Sequence, residues 1–230
     1  MKIKILHLID GAKQARGLTV IIDVFRAFSV ACYVFGNGAE KIIPLGDIDV
    51  AYRLKKENPN FLLIGEREGK KPRGFDYGNS PAQIETVDFA KKIILQTTSA
   101  GTQGIANAVN ADEILTGSFV NAQAIINYIK KQNPDYVSLV AMGHAGLYIT
   151  EEDELCAEYI KNALEGNPND FSEIRKRLRN CAGANKFFDP TKDWAPEKDF
   201  ELCLSLDKFN FVLKMESYDN NQLYFKKIEI

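Results

Sequence analysis

The chain has 230 residues, of which 45% are hydrophobic and 26% are charged, and its formal net charge is −2 at pH 7. The hydrophobic fraction is sufficient for a full core, which excludes an intrinsically disordered chain. Because acidic and basic residues are nearly balanced and mixed along the chain, the charge favours neither nucleic acid nor an anionic membrane as a partner. No apolar run is long enough to span a membrane.

Seven apolar runs of strand length mark the first two-thirds of the chain. Several are nearly continuous Val, Ile and Leu, as in strands that are buried on both faces. They cover residues 2–8, 18–25, 40–45, 61–66, 91–97, 112–117 and 136–142. Helical patterns separate them at 27–38, 47–58, 119–132 and 153–166. This alternation predicts an α/β fold, a three-layer α/β/α sandwich with a mixed, mostly parallel sheet.

The last third of the chain is more polar. It contains a basic helical pattern at 171–180, and another helix is predicted from Pro196 onward. We predict a single domain over residues 1–230. In the alternative, residues 166–230 form a C-terminal lobe that contains a helix and a β-hairpin.

The C-terminal segment 211–230 has the pattern of two strands around a turn signal at 219–221. This pattern predicts a β-hairpin, which we expect to add antiparallel strands at an edge of the sheet. Tyr224 and Phe225 are expected to be exposed on this hairpin, and they suggest a homodimer.

The four cysteines show no CxxC pair and lie mostly in apolar surroundings. We interpret them as reduced, structural thiols, which implies a cytoplasmic location. The N-terminal segment MKIKILHLIDGAKQ is interpreted as a first strand and not as a signal peptide, because its apolar part is short.

The segments that follow the strands are the candidate sites, since ligands of open α/β sheets bind beyond the carboxyl ends of strands. Asp23 interrupts an apolar run, and a buried carboxylate needs a partner or a metal. Arg26 follows three residues later. A structural Asp23–Arg26 ion pair and a functional site are both open at this point.

A loop rich in hydroxyls and glycines, TTSAGTQG at 97–104, lies between a strand and a helical pattern. Its N–H groups and the following helix start suit an anion, and a simple capping turn needs only one hydroxyl. We therefore expect phosphate binding by Thr98, Ser99, Gly101 and Thr102. Neither GxxxxGK[ST] nor GxGxxG occurs, which argues against a nucleotide-dependent transferase.

The segment GEREGKKPRGFDYGNSPAQ at 65–83 is crowded with charges and glycines. Its end predicts a helix with Ser80 as N-cap and Gln83 completing a capping box. Its basic residues, among them Arg67 and Arg73, precede this helix start and favour an anion clamp over a solvated loop.

Four consecutive acids at 151–154 open the helix after the last of the seven strands. Thr150 is the predicted N-cap, and acids in a first turn are favourable. Their mutual repulsion would also be relieved by a divalent cation, and Mg²⁺ suits carboxylates. His144, which precedes this helix, is either an acid–base group or a turn residue.

Together these segments resemble the 2-phosphosulfolactate phosphatase (ComB-type) family. The matching strings, in chain order, are IIDVFRA, GEREG with GFDYGNSPAQ, TTSAGT, and EED followed by CA. GFDYGNSP is the most specific of them. The family usually has Asn-Gly-Thr where this chain has Ala100-Gly101-Thr102, and it often has Arg where this chain has Gln103. These two differences remove one side-chain amide and one cation near the loop.

The resemblance implies a three-layer α/β/α phosphatase that depends on Mg²⁺ and converts 2-phospho-3-sulfolactate to sulfolactate and phosphate, a step towards coenzyme M. Its partner would be a small anionic phosphoester. The positions that match the family's motifs are Asp23, Arg26, Glu66, Arg67, Gly74, Asp76, Asn79, Ser80, Thr98, Gly101, Thr102, Glu152 and Asp153.

The resulting site hypothesis assigns Mg²⁺ to Asp23, Glu152 and Asp153. Because DxDx[TV] and Cys-x₅-Arg motifs are absent from the sequence, metal-activated water is favoured as nucleophile, with Asp23 as ligand or base. A non-catalytic α/β protein that binds phosphorylated metabolites is the alternative.

The hypothesis divides the anionic groups of the substrate between two sets of residues. Arg26 and the loop at 98–102 would hold the phosphoryl oxygens. Arg67 and Arg73 would hold the carboxylate and sulfonate end.

Overall fold

A computed structural model describes residues 1–217 and 223–230 of the chain. Within these described residues, nine strands form one mixed sheet in the order β1-β7-β2-β6-β8-β9-β3-β5-β4. The strands are β1 (Lys2–His7), β2 (Gly17–Ile22), β3 (Lys41–Pro44), β4 (Leu62–Gly65), β5 (Ile93–Thr97), β6 (Ala111–Gly117), β7 (Tyr136–Ala141), β8 (Phe211–Ser217) and β9 (Leu223–Glu229). All seven strands expected in the first two-thirds are present.

The helices follow the predicted alternation with a few differences. They are α1 (Leu8–Gln14), α2 (Ala27–Gly36), α3 (Ile48–Glu57), α4 (Pro81–Ile84), α5 (Gly101–Asn107), α6 (Ala122–Gln132), α7 (Glu151–Glu165), α8 (Phe171–Arg179) and α9 (Glu197–Cys203). Helix α1 was not predicted, because the first strand was extended into it; Leu8, with φ +62°, ends that strand. Short 3₁₀ helices span Phe119–Asn121 and Ala182–Phe187.

The helices cover both faces of the sheet, which confirms the predicted three-layer α/β/α sandwich. Helices α1, α2 and α5 pack on one face in a single apolar cluster. On the other face, α6 and α7 cover the β1-β7-β2-β6 part, and α3 covers β3, β4 and β5. None of the helices in the described part of the chain is long and apolar enough to cross a membrane.

The C-terminal hairpin lies in the middle of the sheet, so the prediction of an edge position is wrong. β8 pairs with β6 and β9 pairs with β3, both antiparallel. The hairpin thereby joins two parallel groups of strands, and apolar side chains from both of its faces pack into the core. Phe225 is fully buried and Tyr224 is half-buried, so the expected exposed pair does not form. The turn signal at 219–221 lies outside the described residues.

The carboxyl ends of β2, β4 and β5 lie close together. In the order of the sheet, however, β2 is separated from β5 by five successive strand pairings. Each strand pair adds a twist of roughly 20–25°, so the direction of the strands rotates strongly across these steps. Hydrogen bonds between the segments that follow β2, β4 and β5 close this end of the molecule. The loops that were predicted to carry the site therefore converge.

Candidate active site

Asp23 follows β2 directly and lies between two helix starts. It is 6% exposed. Its Oδ1 accepts a hydrogen bond from the N–H of Ala27 at 3.0 Å, where α2 begins, and its Oδ2 accepts one from Gly101 at 2.8 Å, where α5 begins. N–H groups at helix N-termini favour a negative charge. The two helix starts orient Asp23, whereas Arg26 pairs elsewhere.

The environment of Asp23 changes its acidity. Burial raises the pKa of Asp23 to about 6, against the lowering effect of the Ala27 N–H, and the neighbouring Glu66 carboxylate raises it as well. Lys186 and Gly101 lower it. A carboxylate with a pKa near neutrality is suited to accept a proton as a general base.

Glu66 lies at the end of β4 and is held by two loops. Its Oε1 accepts a hydrogen bond from the N–H of Ser99 at 2.6 Å, and its Oε2 accepts one from the N–H of Gly69 at 2.7 Å. The residue is 8% exposed. Glu66 therefore connects the crowded loop after β4 with the hydroxyl-rich loop after β5, close to Asp23.

The loop at 98–102 binds the chain's own carboxylates, although we expected it to bind phosphate. The N–H groups of Ser99 and Gly101 donate to two site carboxylates. The N–H of Thr98 donates to Thr102 Oγ1 at 3.0 Å, and the N–H of Thr102 donates to Thr98 Oγ1 at 3.2 Å. These bonds give the loop a positioning role, and direct contact with a substrate stays a prediction.

Helix α7 brings Asp153 to the same cluster. The residue is 2% exposed. Its Oδ1 accepts a hydrogen bond from the N–H of Val24, and its Oδ2 accepts one from Gly143, both at 2.8 Å. Burial raises the pKa of Asp153 well above its usual range, and the Asp23 and Glu152 carboxylates raise it further. Asp153 thus fixes the backbone that carries Asp23.

Glu152 has a buried oxygen without a partner. It is 5% exposed, and its Oε2 has no hydrogen-bond partner within the described ranges. A Cβ added at Gly183 would come within 2.6 Å of this oxygen, so a side chain at this position would require the Glu152 carboxylate to shift. Burial raises the pKa of Glu152, whereas Lys186 lowers it. A buried carboxylate oxygen is costly unless a donor or a cation satisfies it.

The carboxylate cluster fits Mg²⁺ in its chemistry. Within residues 1–217 and 223–230, no three or more His, Cys, Asp or Glu side chains are spaced to hold a metal ion by themselves. Mg²⁺ is commonly held by only one or two protein carboxylates, together with substrate phosphate and water. The unpartnered oxygen of Glu152, with Asp23 and Asp153 nearby, meets this requirement. Mg²⁺ is therefore compatible with these residues and remains a prediction.

Replacing Glu152 with Gln should stabilise the metal-free protein at neutral pH, because it removes a buried charge that has an oxygen without a described partner. The raised pKa means that the ionised form is disfavoured in the fold, so the gain should grow as pH rises above 4.5 and level off above the folded-state pKa. Urea denaturation in EDTA between pH 4 and 8 measures it. Mg²⁺ affinity should fall. A stability loss at pH 8 would contradict the unpaired charge.

Lys186 belongs to the cluster and was missed by sequence reasoning. It is partly buried, and its Nζ donates to the carbonyl oxygen of Phe25 at 3.2 Å. Burial and the charge of Arg26 lower the pKa of Lys186, while Glu152 and Asp23 raise it. The residue lies on the second 3₁₀ helix, in a polar stretch without a motif. Its position directly before two Phe residues was the one available signal.

Arg26 is buried in a structural network. It is 2% exposed, and its Nη1 donates to Asp199 Oδ2 and to the carbonyl of Trp194, both at 2.7 Å. Its Nη2 donates to the carbonyl of Gly69 at 3.0 Å. Because these partners use much of the guanidinium, the expected role in holding phosphoryl oxygens has no support in this arrangement.

Asp199 is the second residue that the sequence did not reveal. It is fully buried, and its Oδ1 accepts hydrogen bonds from Ser80 Oγ at 2.7 Å and from the N–H of Ala82 at 2.9 Å. Ser80 is the N-cap of α4, as predicted. Gln83, however, binds the N–H of Gly78 and does not complete the capping box. Ser80 is fully buried and bonded to Asp199, so the substrate-binding role implied by the family motif has no support in this arrangement and stays a prediction.

Arg67 keeps an uncompensated charge at the edge of the cluster. Its Nη1 donates to the carbonyl of Glu66 at 2.7 Å, and its Nη2 donates to Thr97 Oγ1 at 2.8 Å. These partners are neutral, and no ion pair of Arg67 occurs among the described side chains. A guanidinium whose partners are neutral retains its attraction for an anion.

Among the described residues, the side chains at the remaining predicted positions make no hydrogen bond to the carboxylates of the cluster. Arg73 and Gly74 are exposed, and the Arg73 carbonyl accepts a hydrogen bond from Tyr52 on α3. The predicted contact of Arg73 with a substrate therefore has no support in the structure, because the loop that carries Arg73 packs against α3. Asn79 is 6% exposed, with its Oδ1 unpartnered among the residues described. His144 is exposed and stacks on Tyr148.

Comparison with known proteins gives one consistent result. The family model described as 2-phosphosulpholactate phosphatase matches residues 4–218. A Bacillus subtilis protein named "Probable 2-phosphosulfolactate phosphatase" is 33% identical over 202 residues, 86% of this chain and 87% of the relative. A Pseudothermotoga lettingae protein of the same name is 37% identical over 219 residues, 91% of this chain and 94% of the relative. The chain belongs to the 2-phosphosulpholactate phosphatase family.

Proposed function

We propose that the protein hydrolyses the phosphate monoester of 2-phospho-3-sulfolactate, or of a related 2-hydroxy acid phosphate. The observation that carries this proposal is the buried cluster of Asp23, Glu152 and Asp153 with Lys186 beside it. Such a site can hold a divalent cation and a phosphoryl group together. The names of the relatives support the same substrate class.

Each residue of the cluster has a defined task in the proposed reaction. Glu152, together with Asp23 or Asp153, would hold Mg²⁺, which would neutralise charge on the phosphoryl oxygens and polarise the attacking water. Asp23 would accept a proton from water at one carboxylate oxygen. Asp153 keeps the Asp23 backbone in place through Val24.

Recognition of the acid end of the substrate is assigned to Arg67. Its guanidinium lies beside Glu66 and contacts neutral groups. A carboxylate or sulfonate can accept two parallel hydrogen bonds from such a group. In contrast, the charge of Arg26 is already balanced by Asp199 at 2.7 Å.

The test is phosphate release from 2-phosphosulfolactate, phospholactate and p-nitrophenyl phosphate, each with Mg²⁺ and with EDTA. We expect turnover of the two acid phosphates, a preference over the neutral-tailed ester, and loss of activity in EDTA. Tight binding without turnover would identify the non-catalytic alternative. Full activity in EDTA would remove the metal from the mechanism.

Three further assignments belong to this proposal. The family resemblance suggests a role in coenzyme M biosynthesis, which detection of sulfolactate as the product would support. The four cysteines are buried and free, consistent with a reducing, cytoplasmic compartment. The homodimer was predicted from an exposed Phe225, which is buried in the structure. Light scattering of the purified protein would measure its oligomeric state directly.

A further inference from the structure

Lys186 lies beside the carboxylate cluster, but no step of the hydrolysis described above is assigned to its ammonium group. We infer that Lys186 binds the phosphoryl group of the substrate and stabilises the negative charge that develops on it. This inference rests on the proposed function and extends it to a residue on the second 3₁₀ helix, in a segment that carries no recognised motif.

The hydrogen bonds of Lys186 leave capacity for a ligand. A lysine ammonium has three N–H donors. The described bond to the Phe25 carbonyl, at 3.2 Å, uses one of them. Although Asp23 and Glu152 act on its charge, no ion pair of Lys186 with a carboxylate is found in the described ranges. The ammonium is therefore near the cluster without being neutralised by direct contact.

The surroundings of Lys186 hold its head group in place. Its Nζ lies 5.1 Å from the ring centre of Phe187 and 5.9 Å from that of Phe25. Aromatic rings attract the cation and limit the conformations of the side chain. A pre-positioned charge in partly apolar surroundings stabilises a developing anion more strongly than a mobile, solvated one.

The charge pattern identifies the ligand. Glu152 Oε2 is a buried anionic oxygen without a partner in the described structure, and Lys186 is a cation with unused donors. Both residues act on each other's pKa, yet no described ion pair joins them. A phosphoester with a divalent cation satisfies both, because its oxygens suit the ammonium and its cation suits the carboxylate.

Two binding affinities, for phosphate and for Mg²⁺, distinguish a ligand-binding role of Lys186 from a structural one. Isothermal titration with inorganic phosphate should show roughly 10- to 100-fold weaker binding for Lys186→Met, the loss of one charge-assisted hydrogen bond. Mg²⁺ titrated without phosphate should bind at least as tightly as to wild type, because a nearby positive charge is gone. A damaged fold would weaken both.

Activity and matched variants complete the test. Lys186→Met should lower kcat/KM about 100-fold, and Lys186→Arg should restore part of it. Lys192→Met is the control, since Lys192 lies in the same segment and pairs with Asp189 at 3.2 Å. It should leave both affinities and kcat/KM unchanged. If Lys186→Met does not fold, Lys186→Gln provides the same comparison.

Two results overturn the inference. One is unchanged phosphate affinity in a folded Lys186→Met or Lys186→Gln protein. The other is a parallel loss of phosphate and Mg²⁺ affinity. Neither depends on turnover. A wild-type protein that binds phosphate and Mg²⁺ but hydrolyses no ester would instead contradict the proposed function and leave the binding role of Lys186 supported.

Discussion

Asp23→Asn should lower kcat/KM by about 1000-fold or more, the upper part of the range for loss of a general base. The substitution removes the negative charge and the proton acceptor from the centre of the cluster. It also changes the hydrogen bonds, because Asn has one acceptor where Asp23 accepts from both Ala27 and Gly101. Steady-state kinetics with 2-phosphosulfolactate and Mg²⁺ measure the effect.

A matched carboxylate separates chemistry from local disturbance. Asp207, like Asp23, accepts a hydrogen bond from an N–H at a helix start, that of Gln123 at 2.6 Å, although its side chain is exposed. It caps the start of α6 and takes no part in the cluster. Asp207→Asn should therefore leave kcat/KM near the wild-type value. Near-wild-type activity of Asp23→Asn, at equal stability, would place the chemistry elsewhere.

Asp199→Ala should destabilise the fold by about 3–5 kcal/mol, the usual cost of removing one partner of a buried ion pair. Arg26 would be left buried without a counter-charge, and the donors of Ser80 and Ala82 would lose their acceptor. For a chain of this size the melting temperature should fall by roughly 2–4 °C per kcal/mol. Urea denaturation and calorimetry measure the loss.

A more exposed ion pair is the control for Asp199. Glu113 and Lys214 pair at 2.7 Å with side chains 22% and 24% exposed. Glu113→Gln should cost about 1 kcal/mol or less, because partial solvation weakens such pairs. In a double-mutant cycle, Arg26→Met should add less to Asp199→Ala than it costs alone. Simple additivity would mean that the two residues are not coupled.

Most elements of the sheet were predictable because their periodicity is local. Buried parallel strands appear as continuous Val, Ile and Leu, and helices such as α3 and α6 appear as amphipathic repeats with recognisable ends. The central position of the hairpin was not predictable. Its burial depends on which strand edges remain unpaired elsewhere in the sheet, and no pattern within residues 211–230 contains that information.

The acidic members of the site were predictable for a similar reason. Asp23, Glu152 and Asp153 interrupt apolar patterns or crowd a helix start, and Glu66 ends a buried strand. The partners of the cations were not. Arg26 is three residues from Asp23 but pairs with Asp199, which is 173 residues away along the chain.

The α/β class, the family and the acidic residues of the candidate site could be inferred from local patterns and from strings such as GFDYGNSP. The folded structure was needed to establish which charged groups have partners. It showed Arg26 balanced by Asp199, the loop at 98–102 occupied by carboxylates, and Lys186 beside an unpartnered Glu152 oxygen. Burial and pairing between distant segments control these outcomes, since a charge becomes available only where the fold supplies no partner.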